Sequence, residues 1–184
     1  MNSKHIGKTA ALVFLSTLLG ACSTFQWTGN KIDDEADEAL VTFREEVNGA
    51  DVFLNQAAGF LVFPRVLRAG LGVGAETGEG AMRVAGKTVG YYRITSGSIG
   101  FQAGAQARSI VIAFMTQSAL NQFQTSNGWR VGIDGSVALI DIGAGKTIDS
   151  QNVRDPVVGF IFGSAGLMYN LTLDGTRFTR VVPE

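Results

Sequence analysis

From Lys31 the apolar residues recur at three- and four-residue steps: Ile32, Ala36, Leu40, Phe43, Val47, Ala50 and Leu54. That spacing draws one apolar stripe along a helix. Asn48-Gly49 predicts a break, which leaves a short second helix over Ala50–Ala58. After Gly59 the grammar changes to short runs rich in glycine and β-branched residues. These predict strands at Phe60–Phe63, Arg68–Gly74, Ala81–Ala85, Thr88–Arg93, Ser98–Ala107, Ser109–Met115, Trp129–Ile140, Val157–Phe162, Leu167–Leu173 and Phe178–Val182. Gly78-Glu79-Gly80, Ala85-Gly86-Lys87, Ser96-Gly97-Ser98 and Asp174-Gly175 supply turn residues between them. One helix interrupts the series, with Thr116 as its cap and Ala119, Leu120 and Phe123 as its buried side.

Many short strands with turn signals, preceded by helices, predict an α+β fold. The expected architecture is a curled antiparallel β-sheet, barrel- or sandwich-like, with N-terminal helices and one inserted helix. Glycine also recurs at a step of two within strands. Gly70, Gly72 and Gly74 share one face of their strand, with Leu71 and Val73 on the other. Gly100 and Gly104 share a face with Gln102, Gln106 and Arg108, opposed by Phe101, Ala103, Ala105 and Ala107. A face bare of side chains permits curvature and close approach by another element or a ligand.

The first segment has a different logic. Lys4 and Lys8 precede an apolar run from Ala10 to Leu19, about the length of a signal h-region and too short to span a bilayer. Leu19-Gly20-Ala21-Cys22 resembles a bacterial lipobox. The expected organisation is a lipoprotein signal peptide over 1–21, an acylated Cys22 and tether over 22–30, and one domain over 31–184. Acyl chains each contribute about 0.8 kcal/mol per buried methylene, and two or more give stable anchoring. Ser23 after the cysteine is typical of lipoproteins sorted to the outer membrane, so the expected location is the cell envelope, facing the periplasm.

Composition narrows the chemistry. Cys22 is the only cysteine and His5 the only histidine, and both lie at or before the lipidation site. This excludes a Ser-His-Asp triad, a Cys-His pair and a His or Cys zinc site in the mature chain. No catalytic residue, metal or cofactor is implied. The formal net charge of −1 conceals an asymmetry. Eight acids crowd between Asp33 and Asp51, while beyond Asp51 eleven bases face eight acids. The acidic run reads as a solvated helix face, with its charge near a helix N-terminus. The mildly basic body is too weak a signal for nucleic acid and suits anionic lipid head groups.

Two phosphate-binding patterns fail on mechanism. Gly70-Leu71-Gly72-Val73-Gly74-Ala75 matches a dinucleotide fingerprint by letters, but turn sequence with two carboxylates follows, and no helix. Gly143-Ala144-Gly145-Lys146-Thr147 lacks the first glycine of a phosphate loop, because position 140 is Ile140.

Several motifs in order resemble the SYLF domain family. They are Phe63-Pro64-Arg65-Val66, then Ala69 to Gly74, Gly78-Glu79-Gly80, Ser98 to Gly104, Ile110 to Met115, Ala119-Leu120 with Phe123, Gly163 to Leu167, and Leu173-Asp174-Gly175. The resemblance covers roughly residues 35–184. It implies a lipid-binding module, with phosphoinositide binding in eukaryotic members and actin bundling in some. Eukaryotic members can use a basic amphipathic N-terminal segment where this chain is acidic, and Tyr91-Tyr92 stand where the family often has tryptophan.

The expected function is thus a membrane-anchored, non-enzymatic lipid-binding lipoprotein that contacts anionic head groups. The candidate head-group residues are Arg65, Arg68, Arg83, Lys87, Arg93 and Arg108, a stretch whose only acids are Glu76 and Glu79. The alternative is an envelope structural or protein-interaction module, including one that binds actin in a host setting.

Overall fold

A computed structural model describes residues 28–141, 155–165, 173 and 175–184 of the chain. Cys22, the leader and nearly all of the expected strand Leu167–Leu173 lie outside the described residues.

Helix α1 runs over Gly29–Glu46, and Thr28 caps it by accepting from the Lys31 backbone N–H at 3.4 Å. It starts before the expected Lys31, so its first turn carries no acid. Asp33 and Asp37 are therefore held by partners elsewhere in the fold rather than by the helix terminus. Ile32, Ala36, Leu40 and Phe43 are buried, as the stripe required, and Ala39 is buried beside them. The chain breaks at Gly49, in the left-handed region at φ +88°, and α2 follows at Ala50–Gln56.

Six expected strands merge into two long ones, β1 at Gly59–Val84 and β2 at Lys87–Phe114. They pair antiparallel over nearly their whole length. Between β1 and β2, Ala85-Gly86 reverses the chain, with φ of +49° and +75°, as a two-residue hairpin turn requires. Gly78-Glu79-Gly80 and Ser96-Gly97-Ser98 are not turns. They sit in the ladder, with Gly78 opposite Ile94, Gly80 opposite Tyr92 and Gly97 opposite Ala75.

Two of these glycines serve close packing instead. A Cβ on Gly80 would collide with the Val62 carbonyl oxygen, and one on Gly78 would lie 2.5 Å from that of Arg65. The second half of β1 therefore stacks against its own first half. The fold-back is sharp: a Cβ on Gly70 would lie 2.6 Å from the Gly74 Cα. Register shifts at Leu71/Val73 absorb the bend.

Helix α3 spans Gln117–Thr125, capped by Thr116 as expected; its hydroxyl accepts from the Ala119 N–H at 3.2 Å. The expected strand Trp129–Ile140 divides into β3 at Trp129–Arg130 and β4 at Ala138–Asp141. Between them Gly132 takes φ +84° and Asp134 accepts from the Arg130 N–H at 2.7 Å, which closes a turn. Strands β5 at Val157–Ala165 and β6 at Arg177–Val181 complete the described set.

The sheet order is β3-β6-β2-β5-β4, with β1 also paired to β2. The sheet is curled but mixed rather than purely antiparallel, because β4 and β5 run parallel. About fifteen residues separate them in sequence, enough for the crossover that parallel pairing needs.

The chain thus has the α+β class expected of it. Two apolar clusters form its core. One gathers Leu61, Phe63, Met82, Ile94, Ile112, Phe123, Trp129 and Phe178. The other lies under α1 and α2 and gathers Ile32, Phe43, Phe53, Val62, Ala81, Val111, Phe160 and Phe162. Phe43 and Phe53 both pack their rings on Phe160, with centroids 5.1 and 5.0 Å away.

Candidate lipid-binding surface

The long hairpin carries all six candidate bases, and the fold divides them. Arg65 is exposed and has no ion pair among the described residues. It lines an open polar groove of about 290 Å³ with Glu35, Glu38, Thr42, Pro64 and Ser109. Lys87 is exposed just past the hairpin turn. Arg93 is half-exposed and is held by the buried carboxylate of Glu79, its Nε at 3.0 Å.

The other three bases are turned inward or engaged. Arg83 bridges to α1, with Nη2 at 2.8 Å from Asp37 and 3.3 Å from Asp33. Arg108 is fully buried and donates from Nη2 to Glu76 Oε1 at 2.7 Å. Arg68 is buried on the same side of β1 as Val66, opposite Gln106. The strand pairing therefore does not gather the six bases into one patch. Arg65, Lys87 and Arg93 reach solvent, whereas Arg68 and Arg108 are buried.

The sequence reading missed the roles of Glu76 and Glu79. Their signal was available: each is an isolated acid within a basic stretch, and the register brings Glu79 directly opposite Arg93. Asp33 also escaped, because a run of acids reads as a solvated face. Its carboxylate accepts from the Thr88 hydroxyl at 2.7 Å and the Tyr91 hydroxyl at 2.9 Å. Burial, that hydrogen bond and the Asp33 charge raise the Tyr91 pKa, against the opposing Arg83 charge. Burial likewise raises that of Tyr92.

The middle of the hairpin is unlike the rest. Strand β5 pairs with β2 from Ala107 onward and β6 pairs with it over Tyr91–Thr95. Between those limits β1 and β2 pair only with each other among the described residues, as a two-stranded ribbon bent at Gly70–Gly74. Its concave side is polar: Arg68, Glu76, Gln106 and Arg108 are all buried. Its convex side is apolar and open: Leu67 is 50% exposed and Val73 69%, with Ala69, Ala75 and Ala105 also exposed. A shallow, mainly apolar depression of about 290 Å³ is lined by Leu67, Arg68, Ala69, Ala105, Gln106 and Ala107.

The comparisons with known proteins bear on this surface. Residues 95–181 match the Ysc84 family, described as Las17-binding protein actin regulator. Over these residues the chain is similar to the SYLF family. The SYLF match takes in the end of the ribbon on β2, then α3 and β3 to β6; β1 and the helices before it precede it. The family is one of lipid-binding and actin-regulator-related modules. No curated protein matches the chain. Among the described residues no group of three or more His, Cys, Asp or Glu is placed to hold a metal ion. No helix among them is long and apolar enough to cross a membrane.

Proposed function

We propose that this chain is a membrane-anchored, non-enzymatic lipid-binding lipoprotein of the cell envelope, held by an acylated Cys22 at the outer membrane. The observation that carries this reading is the pair of exposed, unengaged cations on the hairpin, Arg65 and Lys87, within a chain whose C-terminal half matches a lipid-binding family. Arg93 adds a half-exposed guanidinium whose charge Glu79 offsets.

The lipobox supports the anchor. It ends six residues before Thr28, where the described chain begins beside Tyr91 and Pro183 at the Lys87 end of the hairpin. Anchoring raises the effective concentration of the domain at the surface, so weak head-group contacts suffice.

A base near an anionic membrane is worth about 1 kcal/mol, so loss of Arg65 and Lys87 together weakens binding by roughly thirtyfold. The test is flotation of a Cys22→Ser chain with phosphatidylglycerol-containing and neutral vesicles, compared with the same chain carrying Arg65→Ala and Lys87→Ala. Preference for the anionic vesicles, lost in the substituted chain and at high salt, is the expected result. Equal binding to both vesicle types by both proteins would contradict it.

A further inference from the structure

We propose that the bent ribbon of β1 and β2 is a membrane wedge: its convex face enters the acyl layer while its polar lining stays sealed inside the protein. The proposal rests on the lipid-binding reading above and specifies the depth and the element of contact.

A strand of a water-soluble sheet turns apolar residues inward and polar ones outward. Residues 61–63 and 110–114 obey, with Leu61, Phe63, Ile110 and Ile112 in the core. Past Val66 the rule inverts. Arg68 and Glu76 are inside, while Leu67, Ala69, Val73 and Ala75 are outside. The register continues the inversion across the ribbon, pairing Leu67 with Ala107 and Ala69 with Ala105. Apolar-out and polar-in is the pattern of strands that face lipid.

The interior charge of Arg108 has one close carboxylate partner, while its Nε and Nη1 have no hydrogen-bond partner among the described residues. Arg108 and Glu76 neutralise each other at 2.7 Å with side chains 0% and 3% exposed. The ladder also satisfies the ribbon's own backbone along the β1–β2 seam. In water, by contrast, a ribbon that has only two strands among the described residues is marginal, and this one exposes apolar Leu67 and Val73.

The dimensions suit a single leaflet. At ~3.3 Å per residue the arm from Leu67 to Leu71 is ~13 Å long, against ~15 Å for half of a ~30 Å hydrocarbon core. The anchor can engage the same membrane. Six residues separate Cys22 from Thr28 in sequence, a stretch that spans at most ~20 Å. That reach added to the ~13 Å arm matches the ~33 Å length of β1 from Gly74 to Val84. Exposed Arg65, next to the apolar face, falls where lipid phosphates lie.

The experiment reads depth rather than attachment. Val73 is exposed, so Val73→Trp leaves the core intact. The acylated chain carrying it is reconstituted in phosphatidylethanolamine–phosphatidylglycerol vesicles whose acyl chains are brominated near the head group or deep in the tail. A blue-shifted tryptophan signal beyond that of the parent chain, quenched by the acyl bromines, is expected. Adding Leu67→Glu should abolish the quenching. In the Cys22→Ser background, Val73→Glu should lower vesicle partitioning at least tenfold, as a charge on a lipid-facing strand does.

Vesicle binding by the Cys22→Ser chain, with no added quenching in its Val73→Trp variant, overturns the wedge and leaves the lipid-binding reading standing. Absence of vesicle binding overturns both. A Val73→Trp signal already blue-shifted without vesicles, together with a dimer in sedimentation, overturns the wedge in favour of a second copy of this chain on the ribbon.

Discussion

Glu76 and Arg108 meet at 2.7 Å inside the bend of one hairpin, although 32 residues separate them in sequence. Each side chain is almost wholly removed from solvent, 3% and 0% exposed. Removing one partner of such a pair leaves a buried charge uncompensated and costs about 3–5 kcal/mol. Glu76→Gln is therefore expected to lower unfolding stability by about 3 kcal/mol or more in denaturant titration. The double change Glu76→Leu with Arg108→Met should recover much of that loss, because a buried pair is often no better than apolar residues of similar volume. Additive losses in the double variant would show that the two residues are not coupled.

Asp33 ties α1 to the hairpin through Thr88, Tyr91 and Arg83. Asp33→Ala leaves those partners without their acceptor, and a partly buried unsatisfied donor costs about 1–3 kcal/mol. The expected outcome is a loss in that range, with faster amide exchange in the first turns of α1 than in β5. Unchanged protection of α1 would show that its apolar stripe alone holds it.

Tyr91 and Tyr92 both ionise at higher pH in the folded chain than in the unfolded one. Burial is the leading cause for each, and the Asp33 hydrogen bond adds to it for Tyr91. A raised phenol pKa contributes stability that is complete below the unfolded value of about 10 and is lost as pH climbs through the folded values. Tyrosinate absorbance should therefore lag behind that of free tyrosine. Tyr91→Phe should remove part of the lag, and alkaline unfolding should coincide with the rest. Normal titration of both phenols would refute their burial.

Two glycines of the hairpin predict opposite results. Gly80→Ala drives a Cβ into the Val62 carbonyl oxygen, a backbone atom that cannot move aside without opening the fold-back. A Cβ on Gly104 meets nothing within 4 Å. Gly80→Ala should cost several kcal/mol, in the range of an overpacked core, or prevent folding, while Gly104→Ala should be close to neutral. Melting temperatures of the two variants decide the matter.

The sequence revealed local structure well and long-range structure poorly. The stripe from Ile32 to Leu54, the break at Gly49 and the Thr116 cap are set by neighbours within a turn, and all three stand in the fold. The long strands were hidden because glycine has two uses. At Gly78 and Gly80 it lets one half of β1 lie against the other, yet in sequence it reads as a turn. The parallel pairing of β4 and β5 depends on a crossover that no local pattern encodes. The bases illustrate the same divide. Their excess was legible, but which of them meet Glu76, Glu79 or Asp37 depends on register and on α1 docking. The alternation of glycine and polar residues against alanine and leucine was visible from the start. Only the bend shows that its polar side is the inner one.

The most direct test of the account is amide hydrogen exchange of the full acylated chain, in phosphatidylethanolamine–phosphatidylglycerol vesicles and in a detergent that releases it. The wedge predicts that vesicles slow exchange most in residues 67–77 and 96–106, where the ribbon has no third strand among the described residues, and leave α2 and α3 unchanged. Slowed exchange confined to the helices, with the ribbon exchanging equally in both media, would contradict it.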